Sequence, residues 1–92
     1  MKVLVIGTGG REHAIAWALS RSASVTEVVV APGNDGMADV ARVTGGPSDV
    51  ETLMSVAESE RPDLVVVGPE APLVAGLADR LRAAGLRVFG PG

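Results

Sequence analysis

The sequence contains no cysteine and a single histidine, His13. The first absence excludes disulfides, thiolate catalysis and cysteine metal sites. One histidine leaves too few ligands for a zinc site built from protein side chains alone, although magnesium held by carboxylates is still allowed. No apolar run approaches the roughly 20 residues that a membrane helix needs, and the short apolar start is too brief for a secretory signal. We therefore expect a cytoplasmic protein with no membrane partner.

Positive charge is also scarce. Eight lysine and arginine residues stand against eleven aspartate and glutamate residues, so the formal net charge is −3. Because nucleic-acid surfaces need clustered positive charge, this balance argues against a nucleic-acid partner. It still allows a local anion site made of backbone N–H groups and one or two arginines. The length of 92 residues, 47% of them hydrophobic, predicts one folded domain.

Short apolar runs alternate with stretches of helical periodicity. The runs at residues 3–6, 27–31, 63–67 and 86–89 predict buried strands, and residues 42–44 are a further short extended piece. The helices between them are predicted at residues 11–22, at residues 48–60 and from residue 74 to a stop at Gly85. Ser48 and Glu51 have the spacing of a capping box at the start of the second helix. This order indicates an α/β fold, a three-layer parallel sheet of about four strands flanked by helices.

Glycine-rich loops follow three of the predicted strands, at residues 7–10, 32–36 and 68–72. In parallel α/β sheets ligands lie beyond the carboxyl ends of the strands, at the point where the strand order reverses. We therefore expect the three loops to converge on one site.

The first loop has features of a phosphate site. Its glycines expose backbone N–H groups at a helix N-terminus, and Arg11 adds a bidentate donor. Gly7 and Gly9 begin the pattern G-x-G-x-x-G, but Glu12 occupies the position of the third glycine. The second strand also lacks the acidic residue that would bind a dinucleotide ribose. A nicotinamide dinucleotide is thus disfavoured, while a tight turn without any ligand explains the glycines equally well.

Two polar side chains of these loops suit a sugar or an amine. The carboxylate of Glu70 can accept two hydrogen bonds, and the amide of Asn34 both donates and accepts. Each also has a structural explanation, Glu70 as a charge at a helix N-terminus and Asn34 as a left-handed turn residue. Glu12 lies in the first turn of the first predicted helix, where the helix dipole alone explains an acidic residue. His13 is better explained by packing or capping. The residues themselves therefore indicate a site for a small phosphorylated, hydroxyl-bearing ligand.

Taken together, four segments resemble a known family. They are Val-Leu-Val-Ile-Gly-Thr-Gly-Gly-Arg-Glu-His-Ala at 3–14, Ala-Pro-Gly-Asn-Asp-Gly at 31–36, Asp-Leu-Val-Val-Val-Gly-Pro-Glu-Ala-Pro-Leu at 63–73 and Val-Phe-Gly-Pro at 88–91. Along its whole length the chain resembles the N-terminal domain of phosphoribosylamine–glycine ligase (glycinamide ribonucleotide synthetase), an ATP-grasp enzyme. Thr8 stands where the family usually has serine, and Asp35 stands where a small residue is common.

The resemblance implies a Rossmann-like pre-ATP-grasp domain at residues 1–92, with the ATP-grasp and C-terminal domains absent from this chain. The family's reaction joins glycine to the amine of 5-phosphoribosylamine in purine biosynthesis. ATP and Mg²⁺ activate the glycine carboxylate as an acyl phosphate, and the missing ATP-grasp region binds both. We therefore expect no catalytic residue, no metal site and no ligase activity in these 92 residues alone.

The resemblance also implies how the loops bind substrate. Gly9, Gly10 and Arg11 form the phosphate side, while Glu12 and Glu70 contact the ribose hydroxyls or the amine. The remaining loop contacts are Asn34, Gly68 and Pro69.

The implied partners are 5-phosphoribosylamine and the missing domains of the same enzyme. Surface that those domains would cover is expected to form an apolar patch near the carboxyl ends of the strands, to include Trp17 and to allow self-association. The alternative is a stand-alone Rossmann-like binding or structural domain without retained ligase activity.

Overall fold

The structure is a computed structural model, and it describes residues 1–68 and 74–89. The strands within these ranges are β1 (Lys2–Gly7), β2 (Glu27–Pro32), β3 (Arg42–Val43), β4 (Leu64–Val67) and β5 (Val88–Phe89). The helices are α1 (Gly10–Ser20), α2 (Val50–Glu60) and α3 (Val74–Ala83), with a 3₁₀ turn at Asp35–Met37. None of the described helices is both long and apolar enough to cross a membrane.

All five described strands form one parallel sheet in the order β3-β2-β1-β4-β5. Strand β1 lies at its centre, where Leu4 pairs with Val29 of β2 and with Val65 of β4. The predicted α/β fold is confirmed, although the sheet has one strand more than the four expected. The additional strand is β3, which pairs with β2 at the edge of the sheet. A strand of two residues is too short to show a periodic pattern, so the sequence predicts only an extended segment at residues 42–44.

Alternation along the strands divides the core between the two faces of the sheet. Val3 and Val5 pack with Ala16 of α1 on one face, together with Val28 and Val30. On the other face Leu4 and Ile6 pack beneath α2 and α3, and the buried residues of this larger cluster are Leu4, Ile6, Val29, Ala31, Leu53, Met54, Ala57, Val65, Val67, Leu77 and Leu81. Because successive side chains of a strand point to opposite faces, a continuous apolar run is what a strand covered on both sides requires.

The start of α2 differs from the prediction by one residue. The N-cap is Asp49, whose carboxylate accepts hydrogen bonds from the backbone N–H of Thr52 at 3.0 Å and from its hydroxyl at 2.7 Å. Ser48 is therefore not the cap, and Glu51 pairs with Arg80 of α3 and does not close a capping box. A carboxylate is the stronger acceptor for the N–H groups of a helix start.

An ion cluster joins the amino ends of β1 and β2 to β3 and α2. The carboxylate of Glu60 lies 2.8 Å from Nζ of Lys2 and accepts two hydrogen bonds from Arg42, whose Nε also donates to Glu27 at 3.0 Å. Hydrogen bonds from Arg42, and then from Lys2, lower the pKa of Glu60 from 4.5 to about 2. A carboxylate whose folded pKa is lowered stabilises the fold above its unfolded pKa and loses that contribution as the pH falls toward the folded pKa.

Replacing Glu60 with glutamine should therefore destabilise the domain at neutral pH by about 1–2 kcal/mol, because it removes the charge that the two cations share. Urea unfolding from pH 7 down to pH 3 measures this, and the difference from the wild type should shrink below about pH 4.5. Glu58→Gln, at an exposed position of the same helix, is the matched control. A difference that stays constant across this range would show that Lys2 and Arg42 do not hold Glu60 ionised.

Candidate functional site

The candidate site lies at the carboxyl edge of the sheet, between β1 and β4. After β1 the chain crosses to β2 on one side, and β4 and β5 occupy the other side, so the strand order reverses between β1 and β4. In open α/β sheets ligands bind beyond the carboxyl ends of the strands at such a reversal, and the region between the ends of β1 and β4 is called the crevice below. Gly7 ends β1, Gly68 follows β4 directly, and the N–H of Gly68 donates to the carbonyl of Ile6 at 2.9 Å.

The most unusual side chain of this crevice is Glu12. It belongs to the first turn of α1, yet it is only 1% exposed, and it is the single charged residue among the buried side chains of the described chain. Its Oε1 accepts a hydrogen bond from the backbone N–H of Gly9 at 3.1 Å. Its Oε2 is buried and has no hydrogen-bond partner among the described residues. A surface charge that merely complements the helix dipole would be solvated, so burial points to a more specific role.

Two glycines make the room that this carboxylate occupies. A Cβ added to Gly7 would overlap the Cγ and Oε1 of Glu12, and one added to Gly68 would lie 2.7 Å from its Cδ. Gly7 also has a φ of +149°, a backbone conformation that other residues rarely adopt. The ends of β1 and β4 thus form a cradle for the carboxylate of Glu12. The sequence predicts Gly68 as a substrate contact and does not predict that it makes room for Glu12. The only sign of this role in the sequence is that a glycine stands at the end of each of the two strands.

Asn34 lies in the loop after β2 and reaches across to the first loop. Its Nδ2 donates to the carbonyl of Thr8 at 2.7 Å, while its Oδ1 accepts from the N–H of Gly36 at 2.9 Å. Its φ of −146° is extended, so the left-handed turn considered for it is wrong. A backbone bond from Gly33 N–H to the Gly7 carbonyl, 3.0 Å long, joins the same two loops.

The residues that open α1 have different environments. Gly10 and Arg11 are exposed at the helix N-terminus, where the first N–H groups have no intrahelical acceptor. His13 is partly buried, and its Nε2 lies 3.5 Å from Oδ1 of Asp39. Gly9 is the N-cap, and its N–H faces Glu12. Within the described chain, the N–H of Gly9 therefore already has an acceptor in the side chain of Glu12.

Two of the predicted site residues, Pro69 and Glu70, lie outside the described residues, as do the neighbouring positions 71–73 and the final three, 90–92. The other predicted residues fall into three groups. Gly9, Glu12 and Gly68 meet in the crevice, Gly10 and Arg11 open α1, and Asn34 bonds to the first loop from the loop after β2. Within 1–68 and 74–89 no group of three or more acidic or histidine side chains is placed to hold a metal ion.

Large apolar side chains are exposed at three described positions. Trp17 on α1 is 52% exposed, with the guanidinium of Arg21 stacked 4.9 Å from its ring centre. Phe89, at the carboxyl end of β5, is 71% exposed, and Met1 is 40% exposed at the opposite edge of the sheet. These are single exposed side chains, so the apolar patch at the carboxyl edge and the self-association both stay predictions.

Comparison with known proteins gives a consistent result. The family model described as phosphoribosylglycinamide synthetase, N domain, matches residues 1–92. A curated phosphoribosylamine–glycine ligase of Xanthomonas campestris is 55% identical over 94 aligned residues, and that of Escherichia coli K12 is 54% identical. Each alignment covers 99% of this chain and 22% of the relative. The chain therefore spans about a fifth of the length of these ligases.

A solved structure extends the likeness to three dimensions. The crystal structure of phosphoribosylamine–glycine ligase from Thermotoga maritima superposes with a TM-score of 0.64 at 27% sequence identity. The match covers 99% of this chain and 19% of that one. The fold of this chain is therefore similar to that of the matching part of the Thermotoga ligase over nearly the whole length of the chain.

Proposed function

The chain belongs to the family of phosphoribosylglycinamide synthetase N domains, and we propose that it forms the wall of a ligase site that binds 5-phosphoribosylamine. The whole ligase would join glycine to the amine of this substrate in purine biosynthesis. The observation that supports this role is the buried carboxylate of Glu12, with one oxygen unpartnered among the described residues, at the crevice between β1 and β4.

The chemistry of the crevice suits a hydroxyl-bearing or amine-bearing phosphate ester. A buried carboxylate oxygen without a donor is costly to keep, and a ribose hydroxyl or an amine would supply the missing hydrogen bond. The start of α1, with Gly10 and Arg11, would hold the phosphate through N–H groups and a guanidinium. Gly9, Gly68 and Asn34 belong to the same site through their contacts with Glu12 and with the first loop. Pro69 and Glu70 stay predicted contacts of the same substrate.

ATP and Mg²⁺ would be held by parts of the ligase outside these 92 residues. The contribution of this chain would be to bind and orient the phosphoribosylamine so that its amine faces the activated glycine. Orientation of this kind is a large part of the rate enhancement of a bimolecular reaction.

Titration with ribose 5-phosphate, followed by amide chemical shifts, tests this assignment. We expect a dissociation constant on the order of millimolar, equivalent to about 4 kcal/mol, because only one wall of the site is present. The shifts should cluster at residues 7–13 and at Gly68. Arg11→Ala should weaken ribose 5-phosphate and inorganic phosphate alike, whereas Arg21→Ala, the same loss of charge at the far end of α1, should change neither.

Two results would contradict the proposal. Shifts that cluster away from residues 7–13 and Gly68 would place the ligand elsewhere. Tight binding of NAD at the first loop would instead favour a dinucleotide site, in spite of Glu12 at the position of the third glycine.

A further inference from the structure

One peptide group of the first loop is held from both sides. The carbonyl of Thr8 accepts a hydrogen bond from Nδ2 of Asn34 at 2.7 Å. The N–H of Gly9 donates to Oε1 of Glu12 at 3.1 Å. These two backbone groups belong to the same planar peptide unit, so they turn together. A rotation of this peptide would break both hydrogen bonds at once.

Asn34 is itself held in place at the far side. Its Oδ1 accepts from the N–H of Gly36, and the neighbouring Gly33 donates to the carbonyl of Gly7. The loop after β2 therefore supports the Thr8–Gly9 peptide from a fixed position. On the other side of that peptide, the N–H of Gly9 is the hydrogen-bond donor to Glu12 within the described chain.

We propose that Asn34 is a positioning residue, which orients the carboxylate of Glu12 through the Thr8–Gly9 peptide. The inference rests on the proposed function, since it takes Glu12 as the acceptor of the sugar phosphate. It changes the role of Asn34 from a ligand contact to a support of the residue that makes the contact. Loss of its donor group releases the peptide, and the carboxylate of Glu12 then loses its anchor.

Two variants of this exposed residue separate its hydrogen bonds. Asn34→Asp keeps an oxygen for the N–H of Gly36 but places a second oxygen opposite the carbonyl of Thr8. Asn34→Ala removes both interactions and adds no charge. In the unliganded chain, amide hydrogen exchange of Gly9 should become about fivefold to tenfold faster in both variants, as expected for loss of one hydrogen bond. Exchange of Gly36 should accelerate only in Asn34→Ala.

The carboxyl carbon of Glu12 reports the consequence directly. Its ¹³C shift should move in both variants without ligand, and the affinity for ribose 5-phosphate should fall about fivefold. Asp35→Asn, a change of charge in the same loop that leaves both hydrogen bonds intact, should alter neither shift nor exchange at these positions. Comparison of Asn34→Ala with Asn34→Asp separates the loss of the donor from the effect of an added charge near the phosphate.

The possible outcomes are distinct. Unchanged Gly9 exchange and an unchanged Glu12 shift in both variants would overturn the inference, and a fall in affinity under those conditions would make Asn34 a direct ligand contact. If the wild-type chain binds no ribose 5-phosphate, the proposed function fails. The exchange and carboxyl measurements in the unliganded chain still decide whether Asn34 positions Glu12.

Discussion

A methyl group on Gly7 should destabilise the domain by about 2–4 kcal/mol, the largest change expected from so small a substitution. Two effects add at this position. The backbone has a φ of +149°, which favours glycine strongly, and the new Cβ would overlap the side chain of Glu12. Gly7 also lies at the end of the central strand, where it pairs with Pro32 of β2.

Urea unfolding of Gly7→Ala measures this loss, and Gly76→Ala is its matched control. Gly76 lies within α3, and a Cβ there would meet nothing within 4 Å. The same chemical change should therefore stabilise the domain by about 0.5–1 kcal/mol, since alanine favours a helix and restricts the unfolded chain. The same glycine-to-alanine change would then lower the stability of the domain at Gly7 and raise it at Gly76.

A second mutation separates crowding from backbone strain. Glu12→Ala removes the atoms that a Cβ on Gly7 would overlap, so Gly7→Ala should cost less in that background than in the wild type. The difference between the two costs is the steric coupling, as in any double-mutant cycle. Equal costs would show that the carboxylate of Glu12 does not lie in the cradle formed by the strand ends.

Glu12→Gln should have the largest effect on binding, with the affinity for ribose 5-phosphate reduced at least about tenfold. The amide would still accept the hydrogen bond from Gly9, but it would lack the second acceptor oxygen and the charge. The free energy of unfolding should stay within about 0.5 kcal/mol of the wild-type value or exceed it. The reason is that the variant no longer buries a charged oxygen that lacks a partner. Glu12 would then contribute to ligand binding while lowering the stability of the unliganded domain.

Calorimetric titration of this variant tests the predicted loss of affinity, and urea unfolding tests the predicted effect on stability. Glu58→Gln removes the same charge from an exposed position of α2 and should leave binding unchanged. Unaltered affinity in Glu12→Gln would remove Glu12 from the site. A large loss of stability would mean that its carboxylate has a stabilising partner which outweighs the cost of burial.

The sequence predicts those parts of the fold that have a strong hydrophobic pattern. The runs at residues 3–6, 27–31 and 63–67 predicted β2 and the two strands that border the crevice, because a strand buried on both faces must be apolar throughout. The alternation with helices then placed the crevice at the reversal of strand order. Strand β3 was too short for any pattern, and the choice between Ser48 and Asp49 as cap of α2 depended on local geometry.

The sequence predicts a set of site residues, which stays a prediction, but it does not predict how these residues are arranged. Glu12 and Gly68 were both expected to face substrate, yet nothing in the sequence indicates that one occupies the space beside the other. The contact between Asn34 and Thr8 joins residues 26 positions apart. It depends on the parallel pairing of β1 with β2, which brings the two loops together only after the sheet has formed.

The ion cluster around Glu60 and the cradle around Glu12 lie at opposite ends of β1. Lys2 begins this strand and Gly7 ends it, and five steps of an extended chain span about 16 Å. Substitutions at such a distance usually have additive effects on stability. Substitutions at the amino ends of the strands can therefore raise or lower the free energy of unfolding without disturbing the crevice. The domain can then tolerate site residues that lower its stability. Selection on binding and selection on robustness can then act on one short strand almost independently.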